Sequence, residues 1–198
     1  MKLKRDFYLR PDVVEISKDL LGKTLNTNIN GVLTSGLIVE VEAYCGRNDK
    51  ACHANNNRRT NRTEIMFQCG GAAYVYLCYG IHYLFNVVTN IQGLADAVLV
   101  RAVQPIEGIE VMMERRQIHK VEKRITAGPG ALSQALGINK SLYGEMLWGE
   151  IIWIEDVGEH IKEEDIIAAK RVGVDYAGED ALRPWRFYIK GNEWVSQK

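Results

Sequence analysis

The sequence predicts a mixed α/β fold of the α+β kind, one domain over residues 1–198 with a largely antiparallel sheet. Three observations predict it. Short alternating or β-branched runs recur along the chain, as in "GLIVEVEAYCG", "VLVRAVQP" and "WRFYIKGN". Two such regions turn back on themselves, at Asn30-Gly31 and at Tyr79-Gly80, which joins neighbouring strands antiparallel. The helical stretches are short, and no linker-like composition or internal repeat divides them.

The elements follow in order. "DVVEISKDLLG" reads as a short helix, with apolar residues at helical spacing and Gly22 as its stop. "NTNINGVLTSG" supplies the Asn30-Gly31 hairpin that leads into the strand Gly36–Gly46. A polar loop, "NDKACHANNNRRTNRTE", has no periodicity and many turn-formers; loops of that length are usually functional or disordered. "GGAAYVYLCYGIHYLFNVVTN" reads as two β-rich arms around Tyr79-Gly80, crowded with Tyr74, Tyr76, Tyr83 and Phe85. "VLVRAVQP" is a strand, "GIEVMMERRQIHKVEK" a helix, and "GPGALSQALGI" a glycine-rich turn opening a short helix. "EIIWIED", "AKRVGVDYAG" and "WRFYIKGN" read as the closing strands.

Composition excludes several classes. A hydrophobic fraction of 46% with 25% charged residues is that of an ordinary globular protein long enough to bury a core. The basic N-terminus lacks the apolar stretch of a secretory signal, and no run of about 18 apolar residues suggests a membrane span. Cys45, Cys52, Cys69 and Cys78 form no C-x2-C pair, and His53 beside Cys52 is no recognised zinc arrangement, so reduced thiols and no metal are expected. Net charge is zero but unevenly spread. Arg47, Lys50, Arg58, Arg59 and Arg62 face only Asp49 within their stretch, enough to give one face a phosphate-binding field. A second cluster, Arg115, Arg116, Lys120, Lys123 and Arg124, reads better as a solvated helix face.

The strand Gly36–Gly46 carries the chemistry. Simple alternation puts Leu37, Val39, Val41 and Ala43 on one face, and Ile38, Glu40, Glu42 and Tyr44 on the other. Strands seldom carry Glu. Two carboxylates two residues apart, with Cα atoms roughly 6.5–7 Å apart, could flank a water as inverting glycoside hydrolases require. They also repel unless something separates them. A solvated face and a catalytic pair fit this spacing equally well. Glu42, Tyr44, His53 and Tyr76 converging on one pocket would suit a flat π-system.

The blocks "VEVEAYCG…ACHA…RRTNRTEIMF…GGAAYVYLCYGIHYLFNVV", followed in order by "LVRAVQPIEG", "AGPGALSQALGINKS", "KRVGVDYAG" and "RPWRFYIKGNEWVS", resemble the alkyladenine (3-methyladenine) DNA glycosylase family, from about Val13 to Ser196. The resemblance implies a single domain with a curved antiparallel sheet, surrounding helices and a protruding β-hairpin. That hairpin would enter the DNA minor groove, with Tyr79 filling the gap left by a flipped nucleotide. Glu42 takes the family's general-base position and Glu40 a structural one, while Arg101 matches the arginine at the pocket and water site. Tyr44 and Tyr76 match stacking walls, and His53 a stacking or hydrogen-bonding wall. Asn86 matches the residue that crowds out the amine of normal guanine, and Ala51 a small residue giving a backbone contact to the base. Arg58, Thr60 and Arg62 match positions along the DNA backbone.

The implied function is excision of alkylated purines from double-stranded DNA by a Glu-activated water. The resemblance further implies a monomer with no cofactor, located with the DNA: cytoplasm and nucleoid in a bacterium, nucleus in a eukaryote, not secreted. No lysine accompanies Glu42 on its strand, so lyase chemistry is not expected. Two positions depart from the pattern: Ala131 stands where the family often has a lysine, and His82 follows the wedge where the hairpin is usually more apolar. Two rivals remain open, a non-catalytic binder of distorted DNA and a carbohydrate hydrolase using Glu40 with Glu42. The first would release no base, and the second would ignore loss of Tyr79.

Overall fold

The computed structural model describes residues 1–197. After a single-turn helix α1 (Arg5–Tyr8), helix α2 runs Val13–Leu20. Asp12 caps it, its carboxylate accepting from the N–H groups of Val14 and Glu15 at 2.9 and 3.2 Å. Ile16 and Leu20, a turn apart, are wholly buried, each contributing about 1.5–3 kcal/mol of burial. Gly22, at φ +79°, turns the chain into β1 (Thr24–Ile29), and a Cβ there would come within 2.9 Å of Ile161.

Asn30 and Gly31, both at positive φ, join β1 to the long β2 (Val32–Cys45). The polar loop intervenes before β3 (Ala73–Cys78) and β4 (His82–Thr89), then β5 (Asp96–Glu107). Helices α3 (Ile109–Arg116) and α4 (Pro129–Ala135) follow, then β6 (Ile152–Glu155), β7 (Ile166–Ala169) and β8 (Arg186–Ile189). All eight strands form one sheet in the order β3-β4-β5-β2-β1-β6, with β8 pairing β2 and β7, and every pairing is antiparallel. The predicted fold class is therefore the observed one. Among the described residues no helix is long and apolar enough to cross a membrane.

One face of the sheet holds the main core. Ile38, Val41, Ala43, Val87, Val98, Val100 and Val103 pack with α2, α4 and Met112. The other face carries the carboxylates. Along part of it the polar loop lays down a second cluster, in which Met66, Phe67 and Cys52 meet Tyr74 and Ala97.

Simple alternation fails at the middle of β2. Ile38 pairs Val103, Glu40 pairs Ala102, and Val41 pairs Val100, so Val39 and Arg101 are each an extra residue in their strand. Bulges of this kind re-aim side chains. Ile38 consequently joins Val41 and Ala43 in the main core, while Leu37 and Val39 pack with Ala102 and Val195 in another cluster. Ile38 is thus not on the carboxylate face.

Two further expectations give way. The helix predicted over 108–123 stops at Arg116, because Gln117 adopts φ +53° and the Ile118 N–H turns back to the Met113 carbonyl. The strand predicted over 169–178 keeps only Ala169. Arg171 turns inward to an ion pair, Gly173 takes φ +76°, and 3₁₀ turns occupy Asp175–Leu182.

Candidate active site

The paired bulges place three charges side by side. Glu40 and Glu42 are wholly buried, and Arg101 is 5% exposed. Arg101 Nε donates to Glu40 Oε1 at 2.8 Å, and its Nη1 lies 3.2 Å from Glu42 Oε1. The guanidinium thus separates the two carboxylates. Burial works against its charge, but Glu42 and Glu40 more than offset that and raise its pKa.

The two carboxylates differ in what else they touch. Glu40 accepts from Arg186 Nη1 at 3.0 Å and from the Ser196 N–H at 2.6 Å, facing inward to β8 and the C-terminal segment. Glu42 accepts from the Val172 N–H at 2.7 Å and from the Tyr44 hydroxyl at 2.6 Å. Tyr44, Val172 and Arg101 all line a cavity of about 460 Å³, so Glu42 lies directly beneath its floor. Burial first, then the Glu42 charge, pushes the Tyr44 phenol well above its usual pKa, which keeps it a proton donor to that carboxylate.

The cavity is of small-molecule size and mostly apolar. Tyr44, His53, Tyr74, Tyr76 and Asn86 line it together with Ala51. Asn86 sits opposite Tyr74 in the β3–β4 ladder and donates to its carbonyl at 3.1 Å. Tyr74 and Tyr76 lie 5.4 Å apart, and His53 meets Tyr76 edge-on at 4.8 Å. His53 Nδ1 lies 2.9 Å from the Tyr74 hydroxyl. Burial, with the Arg62 charge beside it, pulls the His53 pKa down to about 4, so the ring is neutral at pH 7. Both backbone groups of Ala51 are engaged within the protein, its N–H by Asp49 and its carbonyl by the Tyr176 hydroxyl.

Behind the floor stands an ion pair with no exposure at all. Arg171 grips Asp49 through two hydrogen bonds, at 2.5 and 2.7 Å, and also donates to the carbonyls of Ala43 and Asp180. Its guanidinium lies 4.8 Å from the Tyr44 ring. This clamp fixes Tyr44 from below and, through the next residue, the Val172 N–H.

The β3–β4 hairpin rises beside the cavity. Tyr79 is 90% exposed, flanked by Leu77 at 48% and Ile81 at 72%. The turn closes with the Ile81 N–H donating to the Cys78 carbonyl at 3.1 Å. Tyr79 adopts φ +51°, which costs a bulky residue about 1–2 kcal/mol. Cys78, Tyr79 and His82 line the cavity rim, and Ala131 of α4 lines it too.

The basic loop divides by geometry. The Arg58 side chain is exposed and makes no hydrogen bond or ion pair among the described residues. Arg59 is bound to Glu64 at 2.6 and 2.7 Å. Thr60 bonds Thr63 through both its amide and its hydroxyl, closing the loop on itself. Arg62 is folded back onto His53 and Tyr76.

Several site residues escaped sequence reasoning. Val172 acts through its backbone, which leaves no residue-type signal. Arg171 and Asp49 are 122 residues apart, and Arg186 is 146 from Glu40. Arg116, grouped with a solvated face, lines the cavity rim and donates to Gln134 and to the Arg124 carbonyl. Cys45 and Cys52 are buried, and no group of three His, Cys, Asp or Glu among the described residues could hold a metal ion.

Comparison with known proteins adds the chemistry's family context. The family described as methylpurine-DNA glycosylase matches residues 6–193. Three relatives carry the name "Putative 3-methyladenine DNA glycosylase". That of Alkaliphilus oremlandii is 49% identical, with both chains covered in full. That of Natranaerobius thermophilus is 48% identical over 99% of each chain. That of Methanocella arvoryzae is 47% identical over 99% of this chain and 96% of its own.

Proposed function

The chain belongs to the methylpurine-DNA glycosylase family, and from that premise we propose that it excises alkylated purines from double-stranded DNA with Glu42 as general base. The observation that carries this reading is a buried carboxylate beneath an aromatic cavity, beside a hairpin that ends in an almost fully exposed tyrosine. Residues 1–198 act in this reading as one catalytic domain. Tyr79 enters the duplex and holds the nucleotide out, and the base enters the cavity among Tyr44, Tyr76 and His53.

The C1′–N bond to the purine breaks with its electron pair leaving on the base, and C1′ develops oxocarbenium character. Water adds to C1′ and gives its proton to Glu42, leaving an abasic site in an intact strand. The Glu42 charge also favours the developing cation. Arg101, the Val172 N–H and the Tyr44 hydroxyl together fix the orientation of that carboxylate. A purine alkylated at N3 or N7 is already cationic, departs as a neutral base and needs little acid assistance. Adding the protein to duplexes that each hold one defined lesion tests the reading. Free base and an alkali-labile site are expected, and tight binding without release would favour the non-catalytic binder.

Two variants probe the DNA-facing parts. Tyr79→Ala should slow excision from well-paired duplexes about 5- to 150-fold, the equivalent of roughly 1–3 kcal/mol of lost stacking. Mismatched lesions are already partly unstacked and should lose less. Thermal stability should hardly change, since the ring has few neighbours. Equal loss on paired and mismatched substrates would mark Tyr79 as a packing residue. Arg58→Ala should weaken binding to damaged and undamaged DNA alike and reduce the salt slope by about 1. An unchanged slope would remove Arg58 from the phosphate path.

A further inference from the structure

Arg62 does not hold an acidic partner. Its Nη2 lies 3.2 Å from His53 Nε2, and its guanidinium carbon lies 4.6 Å from the centre of the Tyr76 ring. Among the described residues it forms no ion pair, although its neighbour Arg59 is fully committed to Glu64. A guanidinium has only N–H donors, so the bond to His53 makes Nε2 the acceptor. The one remaining ring proton then sits on Nδ1 and points to the Tyr74 hydroxyl, 2.9 Å away. The groups against the imidazole are Tyr74 and Tyr76 from β3 and Arg62 from the loop, and no carboxylate bonds either ring nitrogen. A permanent positive charge therefore stands one aromatic ring from the cavity.

We propose that Arg62 is a positioning and charge-selecting residue of the base pocket, holding His53 in its Nδ1–H tautomer and tempering the pocket's preference for cationic over neutral damaged purines. The proposal rests on the glycosylase reading for its substrate, but not for its effect on His53. Protonating His53 would break the Arg62 bond, set two cations side by side and bury a charge. Removing Arg62 should therefore let the ring titrate upward, while burial, the larger cause of its low value, still holds it below the usual histidine value. The same charge repels a cationic base but leaves a neutral one such as hypoxanthine unaffected to first order.

Two substitutions separate the two effects. Arg62→Gln keeps an N–H donor for Nε2 without the charge, and Arg62→Ala removes both. With four histidines in the chain, the His53 ring can be followed by nitrogen NMR through a pH titration of the free protein. In the parent protein it should stay neutral and Nδ1-protonated down to acid pH. In Arg62→Gln it should keep that tautomer but protonate at higher pH. In Arg62→Ala the tautomers should mix as well. The ratio of single-turnover excision rates for 7-methylguanine over hypoxanthine should rise about 3- to 10-fold in both variants. A His53 titration unchanged by Arg62→Ala would overturn the proposal. So would an unchanged lesion ratio accompanied by a lower salt slope, which would make Arg62 a simple phosphate contact. If the parent protein released no base, the glycosylase reading would fail, while the His53 titration would still decide the coupling.

Discussion

Glu42→Gln is expected to keep the fold and lesion binding and to lower the single-turnover rate of base release by at least 10²- to 10⁴-fold, the usual worth of a general base. The carboxylate touches three groups, the Tyr44 hydroxyl, the Val172 N–H and Arg101. A glutamine oxygen can still accept from Val172 and Arg101. Its amide then faces the Tyr44 oxygen, which can accept a hydrogen bond instead of donating one. The structural cost should thus stay at about 1–2 kcal/mol, read as a modest drop in thermal midpoint. The chemical cost is double. No group remains to take the proton of water, and Arg101 loses one of its two counter-charges just where the sugar becomes cationic. Release at a rate near that of the parent would show that Glu42 is not the base.

Glu40→Gln should do the reverse, with a large loss of stability and a smaller loss of rate per folded molecule. Every contact of this carboxylate is with a donor: Arg101 and Arg186 on one oxygen, the Ser196 N–H on the other. An amide nitrogen placed on either side meets another N–H. Arg186, 5% exposed, pairs with no other carboxylate among the described residues and would be left as a poorly compensated buried charge. Breaking a buried pair in this way costs about 3–5 kcal/mol, a large share of the roughly 5–15 kcal/mol that holds a domain folded. Denaturant unfolding should show it as a lower midpoint. A change below about 1 kcal/mol would mean that the cluster relaxes around the lost charge.

The contrast between these two residues was only half legible in the sequence. Turn signals at Asn30-Gly31 and Tyr79-Gly80, and alternation on either side, are local, and they correctly gave strands, hairpins and an antiparallel sheet. The facing of Ile38 was misread because alternation assumes an uninterrupted register. The bulges at Val39 and Arg101 are properties of two strands together. The strand expected over 169–178 failed for a related reason. Its β-branched residues suit a ladder, but Arg171 gains more by reaching Asp49, which frees the next N–H for Glu42. The aromatic residues near the cavity stood out as a crowded stretch of text. Arg101 stood out only through the family resemblance, and Arg171 and Arg186 not at all, since what distinguishes all three from Arg58 is burial against a carboxylate. The fold-back of Arg62 onto His53 likewise has no signature in the chain.

The C-terminal clasp on Glu40 also orders events during synthesis on the ribosome. The tyrosine hairpin joins residues only a few positions apart, so it can form as soon as the segment through Thr89 has emerged. The carboxylate pair cannot be finished then. Glu40 awaits Arg186 and Ser196, which follow it by 146 and 156 residues, and Glu42 awaits Val172, 130 residues on. Contacts of such long range form late, because the intervening chain must first be closed into a loop. A chain that ends before β8 would therefore carry the hairpin and the partners of Glu42 but lack Arg186 and Ser196 on Glu40. The hairpin thus forms before either carboxylate is fully held, and Glu42 gains its partners before Glu40 does.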